Sequence, residues 1–351
     1  MTAMARQQRL TPRERAWLTS RLHELDADER RSPFRESPVT VASRIRRALA
    51  DLPEEWREPA RWLFALTRYL SRPELHRAWR SLWATFQEQQ AVRSPTEVLV
   101  LELDRDTLRD DFYRANCLPG RLDDNLPFRS SHDLASALWM VEAGRPPPEY
   151  AGAIRALRTR SHWVLLADLG LSGASIAAEV DRLTTVQRII HPLRPVRVTC
   201  LIQAATDRAR ERLAADSIGH IAAIRLVNSI STLPVGYADL PGEVPDAVTR
   251  FCRWFADHHV AGSGHRLGGA GPDTAAFGRS AAGLLVVTHK NTPDSTVPPL
   301  WLSTHSPPYR APFERLESRV GLGWTGRKEW YARLRRDDAL RTRLSHLVSR
   351  M

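Results

Sequence analysis

The 351 residues carry 51 Lys and Arg against 40 Asp and Glu, a net charge of +11, with 42% hydrophobic and 26% charged residues. That is the balance of a folded, soluble chain with a substantial core, long enough for one large domain or two moderate ones. No apolar run approaches the roughly 20 residues of a membrane-spanning helix, and the N-terminal MTAMARQQRLTPRERAW has no apolar segment of the signal-peptide kind. Three cysteines, Cys117, Cys200 and Cys252, lie far apart without CxxC spacing, which argues against a disulfide framework and for reduced thiols in the cytoplasm.

In chain order, residues 1–93 read as a helical region. Thr11-Pro12 is a helix start, a capping residue followed by Pro at the first helical position. Val39–Leu52 is an amphipathic segment stopped by Pro53. The stretches Ala60–Leu70 and Pro73–Gln89 place Trp62, Leu63, Leu66, Tyr69 and Leu70, then Leu75, Trp79, Leu82, Trp83 and Phe86, at helical spacing. This aromatic stripe is expected as core packing, not as a platform for stacked bases.

After the break at RSPTE, 93–97, the period changes. Short runs rich in Val, Ile and Leu predict strands at Val98–Leu103, Trp163–Asp168, Val196–Ile202, Ile221–Leu226 and Leu284–Thr288. Helices are predicted at Leu134–Ala143, Ser175–Ile190, Ala205–Asp216 and Ala247–His258. Such alternation predicts an α/β fold, a mostly parallel sheet buried on both faces by flanking helices. Pro146–Pro148 and Gly262–Asp273 read as loops, and Arg327–Val348 as one final basic amphipathic helix. The domain division expected is 1–93 helical, 94–315 α/β and 316–351 a C-terminal helical tail.

Ligands of open α/β sheets bind beyond the C-terminal ends of the strands, and three predicted strands end in residues suited to that. In VLLADLGLSGAS the strand reaches Asp168, and a turn containing Gly170, Ser172 and Gly173 opens a helix near Ser175. Free backbone N–H groups and the helix dipole at such a point attract phosphate. Gly170 and Gly173 permit positive φ and close approach of the backbone. Asp168 could accept from a ribose hydroxyl or hold a metal ion. In VVTHKNTPDSTVPPLW a strand runs into Thr288, His289, Lys290, Asn291, Thr292 and Asp294. Lys290 is one of two lysines in an arginine-dominated chain, and an ammonium is a compact charge suited to phosphate. The segment Leu103–Asn125 reads as a solvated loop-helix, with Arg114 and Asn116 as candidates for anion contact should it fold over the sheet. His258, His259 and His265 match no defined metal spacing. No GxSxG, Walker A or complete GxGxxG pattern is present, which disfavours P-loop and dinucleotide readings.

Together these residues resemble the phosphoribosyltransferase superfamily and, more narrowly, the PRTase-CE family, phosphoribosyltransferase-like proteins associated with prokaryotic conflict systems. The superfamily motif of an apolar strand, two acids and a Gly/Ser/Thr loop stands here as LLADLGLSGAS. The early YRxN segment is matched by Tyr113, Arg114 and Asn116, and the late N-x-P-x-x-T-x-P-x-x-W motif by Asn291, Pro293, Thr296, Pro298 and Trp301. The likeness covers about 95–315.

The resemblance implies a type I phosphoribosyltransferase-like fold. It also implies that Ser172, Gly173, Ala174 and Ser175 hold the 5′-phosphate of a phosphoribosyl group while Asp168 faces the ribose hydroxyls. Arg114 and Lys290 are then the partners for pyrophosphate or a second phosphate. Where the site turns over, Mg²⁺ on Asp168 is the expected cofactor, and the chemistry is transfer or cleavage at the ribose anomeric carbon. The departure is Ala167, which stands where an acid is expected; Ala174 likewise replaces a hydroxyl donor. Three functions stay open at this point: a phosphoribosyltransferase, a non-catalytic nucleotide sensor or adaptor working with protein partners of a defence operon, and a nucleic-acid-binding module suggested by the charge and the Arg-rich C-terminal helix.

Overall fold

The computed structural model describes residues 11–90, 97–103, 108–118, 128–144, 146, 148–160, 162–170, 173–193, 198–216, 221–229, 244–261, 271–290, 292–293, 295–315 and 325–350. The first described helix, α1 (Pro12–Arg31), starts where the sequence predicts and is closed by a capping box: the Thr11 hydroxyl accepts the Glu14 N–H and the Glu14 carboxylate accepts the Thr11 N–H. Helix α2 (Val41–Ala50) starts on a Thr40 cap, and α3 (Glu54–Leu66) starts on Pro53. The helix expected through Leu70 stops four residues early. The Thr67 hydroxyl donates to the Leu63 carbonyl at 2.9 Å, and Arg68–Leu70 is extended as strand β1.

Helix α4 (Arg72–Gln90) is followed by β2 (Val98–Glu102), α5 (Leu108–Ala115), α6 (Ser131–Glu142), α7 (Pro148–Leu157) and β3 (His162–Gly170). Then come α8 (Ala174–Ile190), β4 (Val198–Ala205), α9 (Asp207–Asp216), β5 (Ile221–Ser229) and α10 (Val244–Phe255), which runs on as a π turn over Ala256–Val260. Helix α11 (Pro272–Phe277), β6 (Val286–Thr288), and the short β7 (Thr304–His305) and β8 (Pro308–Tyr309) precede α12 (Thr325–Arg336) and α13 (Asp338–Arg350). The one C-terminal helix expected is therefore two. Asp337 ends the first, and its carboxylate accepts the Leu340 N–H at 2.9 Å to start the second.

The fold is α/β, with parallel sheets flanked by helices. Four predicted strands form one parallel sheet in the order β2-β3-β4-β5. The fifth does not join it: β6 pairs in parallel with β1, Arg68 opposite Val286 and Leu70 opposite Thr288. A three-residue strand directly after a helix leaves no periodic trace, so its claim on β6 is invisible in the sequence.

The chain divides into two compact units, each made of two segments. The first comprises Met1–Glu74 and Ile230–Glu317, the second Leu75–Ser229 and Ser318–Met351. In the first, α1–α3, α10 and the β1–β6 pair surround a core that includes Trp62, Phe64, Phe251, Phe255, Val287 and Phe313. A buried Arg44–Glu29 pair at 2.8 Å lies within it, and Glu29 also accepts the Phe34 N–H at 2.9 Å.

In the second unit strands β2, β3 and β4 are buried on both faces, which is why they read as unbroken apolar runs. One face (Leu99, Leu101, Trp163, Leu165, Ala167, Cys200, Ile202) packs with α6, α8 and α13. The other (Val98, Val100, Val164, Leu166, Leu201) packs with Trp79, Trp83 and Phe86 of α4 and Phe112 of α5. Phe112 stands edge-on to Trp79 and Trp83 at 5.5 and 5.3 Å, so the aromatic stripe is core, as its spacing predicts.

Candidate functional site

Strand β3 has neighbours on both sides, β2 and β4, and every residue from Trp163 to Ala167 is buried. It ends beyond Asp168, at Gly170, whose carbonyl accepts the Thr206 N–H at 2.9 Å. A Cβ at Gly170 would come within 3.1 Å of the Ala205 Cβ, a contact tight enough that β4 would have to give way slightly. Gly173 then caps α8 with φ +71, and a Cβ there would meet the Ala209 carbonyl oxygen and Leu213 Cγ at 3.2 Å. Both the left-handed backbone and the packing against α9 call for glycine.

The N-cap of α8, Gly173, has no side chain with which to cap the helix, and the exposed Ser175 sits in the first turn beside the half-buried Ala174. The first turn of a helix carries N–H groups without intrahelical partners and the positive end of the helix dipole. Asp168 is half-buried at the strand end, and its carboxylate accepts the Leu169 N–H at 2.7 Å. By the alternation of a strand, Asp168 shares a sheet face with Val164 and Leu166, while Ala167 points the opposite way into the α6–α8 core, fully buried. The place of the second acid is therefore a core position in this chain. Ser172 lies outside the described residues.

Sequence reading passed over Glu102. It ends β2, pairs in register with Leu166 and is fully buried. Its carboxylate accepts the Arg109 N–H at 3.0 Å and lies 3.1 Å from Arg129 Nε; its own N–H donates to the Arg129 carbonyl at 2.8 Å. Arg129 also reaches Asp110 at 2.9 Å. Burial outweighs these partners and raises the Glu102 pKa from its ordinary 4.5 to about 6. The available signal was an acid closing an apolar run, the same signal that drew attention to Asp168.

The YRxN segment lies on and just after α5, which packs against β2 and β3. Tyr113 is buried in the core. The Asn116 amide donates to the Phe112 carbonyl at 2.9 Å, closing the end of α5, and the exposed Arg114 lies 3.5 Å from Asp111. These contacts account for Tyr113 and Asn116 as parts of the helix.

The late motif belongs to the first unit, so the structure does not place it on the sheet that carries Asp168. Its residues hold a turn together. The Thr296 hydroxyl donates to the Val286 carbonyl at 2.9 Å and the Trp301 indole N–H to the Thr296 carbonyl at 2.7 Å. The fully buried Thr292 donates to the Phe313 carbonyl at 2.8 Å. Lys290 and His289 follow β6 half-buried, with the His289 N–H on the Leu70 carbonyl at 3.1 Å. Asn291 and Asp294 lie outside the described residues.

Of the candidates, one strand-turn-helix thus brings Asp168, Gly173, Ala174 and Ser175 together. Among the described residues no group of three or more His, Cys, Asp or Glu could hold a metal ion. A lone Asp168 suits Mg²⁺ only as an ion also held by a ligand's phosphates, the usual manner of Mg²⁺ in phosphate chemistry. No described helix is long and apolar enough to cross a membrane.

In comparisons with known proteins, the model of the PRTase-CE family matches residues 133–315, a stretch containing both the β3–α8 turn and the late motif. No curated protein and no solved structure matches the chain.

Proposed function

Because the chain belongs to the PRTase-CE family, we propose that it acts in a prokaryotic conflict system by binding a phosphoribosyl compound or nucleotide at the β3–α8 turn. The supporting observation is the turn itself: a buried strand with Asp168 near its end, a left-handed Gly173 and the first turn of α8 directly after it. A 5′-phosphate would accept from the first-turn N–H groups of α8 and the Ser175 hydroxyl. Asp168 would accept from a ribose hydroxyl. Mg²⁺ would enter with the ligand's phosphates, Asp168 being its carboxylate ligand, and would offset phosphate charge. This reading needs nothing from Lys290 or the residues after it.

Titration calorimetry with phosphoribosyl pyrophosphate and with nucleotides, each with Mg²⁺, tests it. Binding that Asp168→Ala weakens at least tenfold supports the reading; no heat with any of these ligands refutes it.

The buried Ala167 favours binding without turnover. An oxocarbenium-like transition state gains from negative charge near the ribose, and this chain has one acid at the strand end where the family motif has two. The protein is then a sensor that relays ligand occupancy to partners in its operon. Release of pyrophosphate or free base from a bound ligand would reverse this choice in favour of a transferase.

A further inference from the structure

The last 27 residues, Thr325–Met351, hold eight Arg and Lys and three Asp and Glu, a net +5 out of the chain's +11. Within the second unit, α13 buries Leu340, Leu344 and Val348 against the core, and α12 buries Trp330 and Leu334. Glu142 at the end of α6 accepts from Arg333 and Arg343, both at 2.7 Å and both on the same carboxylate oxygen; the Trp330 indole N–H donates to the other. The two guanidinium nitrogens are therefore separated by at most twice that distance.

One negative charge holds two positive ones, and both arginines are more than half exposed. Each keeps further N–H donors turned to water. Beside them, Arg335 pairs with Asp181 at 3.1 Å, while exposed Arg336 and Arg350 make no ion pair among the described residues. The nearby acids are engaged locally. Asp337 caps α13 and Asp338 pairs with Arg341, which also donates to the Leu334 and Arg335 carbonyls that end α12. A surface hollow of about 570 Å³ is lined by Ala332, Arg333, Arg336, Asp337 and Asp338.

We infer that the outer face of the α12–α13 hairpin is a docking surface for the phosphodiester backbone of a nucleic acid. Paired, pre-positioned guanidiniums match phosphate oxygens bidentately, which a lysine face would not do. No aromatic side chain described on these helices is exposed for base stacking, so the surface grips backbone without reading sequence. The inference is independent of the β3–α8 site and stands or falls separately.

Fluorescence anisotropy of the full chain with a labelled 20-nucleotide single strand and the matching duplex, between 50 and 200 mM salt, tests it. Affinity should fall steeply with salt, and Arg333→Gln/Arg343→Gln should weaken binding at least tenfold and reduce the log–log salt slope by about 1 to 2. Since those changes also release Glu142, Arg336→Gln/Arg350→Gln serves as the second variant. It should weaken binding three- to tenfold with an unchanged unfolding temperature. Absence of binding at 50 mM salt, or affinity indifferent to both double variants, overturns the inference. So does displacement of the oligonucleotide by phosphoribosyl pyrophosphate, which would assign the contact to the strand-end site.

Discussion

Ala167 and Gly173 lie six residues apart, and together they set what the strand end can do. Gly173 combines φ +71 with contacts that a methyl group would crowd. Gly173→Ala should therefore cost about 1–2 kcal/mol, since a left-handed backbone alone penalises a side chain by that order, and it should loosen the start of α8. Urea unfolding checks the stability and calorimetry the loss of ligand affinity; an unchanged midpoint would contradict the packing account. Ala167→Asp, which restores the missing acid, places a carboxylate in a dry apolar face. It should destabilise by about 3 kcal/mol or more without creating activity, because an unpaired buried charge is costly. A stable Ala167→Asp protein that turns over phosphoribosyl pyrophosphate would contradict this. The sequence exposed both residues as notable, Gly173 by its place after an acid and Ala167 by its departure from the motif. What it could not show was the face to which Ala167 turns, because in a strand buried on both sides neither face is marked by polarity.

At the scale of elements, the described residues of the late motif hold a turn in place. Thr296, Pro298 and Trp301 are spaced so that a hydroxyl and an indole close a turn over β6. Trp301→Phe removes the donor to a buried carbonyl and should cost about 1–3 kcal/mol while leaving ligand affinity at the β3–α8 turn unchanged; a large loss of affinity at intact stability would assign the motif a ligand role. Strand β2 carries the complementary case. Glu102 holds its proton more tightly folded than unfolded, so its own contribution to stability falls as pH rises from 4.5 to about 6. Glu102→Gln lacks that titration. The difference in unfolding free energy between the two proteins should therefore shift by about 2 kcal/mol in favour of the variant across this window, at 1.36 kcal/mol per unit. A pH-independent difference would mean that Glu102 is not held in a dry site. Several helices were legible from their spacing, and α1 from its Thr11-Pro12 start. Strand β1 was not, because three residues after an amphipathic helix continue its pattern until the backbone turns extended at Thr67.

For the whole molecule, alternating apolar runs and helices sufficed to establish the α/β class, but not which strands share a sheet. Parallel pairing is decided by contacts distant in sequence, and β6 finds its partner more than 200 residues upstream in β1. The same holds for the C-terminal helices, whose basic composition reads as a tail while Trp330, Leu334, Leu340, Leu344 and Val348 complete a core. Removing residues 318–351 should strip several fully buried side chains, each worth about 1.5–3 kcal/mol, and leave the second unit without cooperative unfolding by calorimetry. A truncated protein with an unchanged unfolding temperature would show that these helices are dispensable.

The central claim is that the β3–α8 turn is a phosphate and ribose site whose one acid is Asp168. Its most direct test is calorimetric titration of phosphoribosyl pyrophosphate with Mg²⁺ into the intact protein and into Asp168→Ala. The account predicts saturable binding to the first and at least tenfold weaker binding to the second, both equally folded. Equal affinity for the two proteins, or none for either, would contradict it.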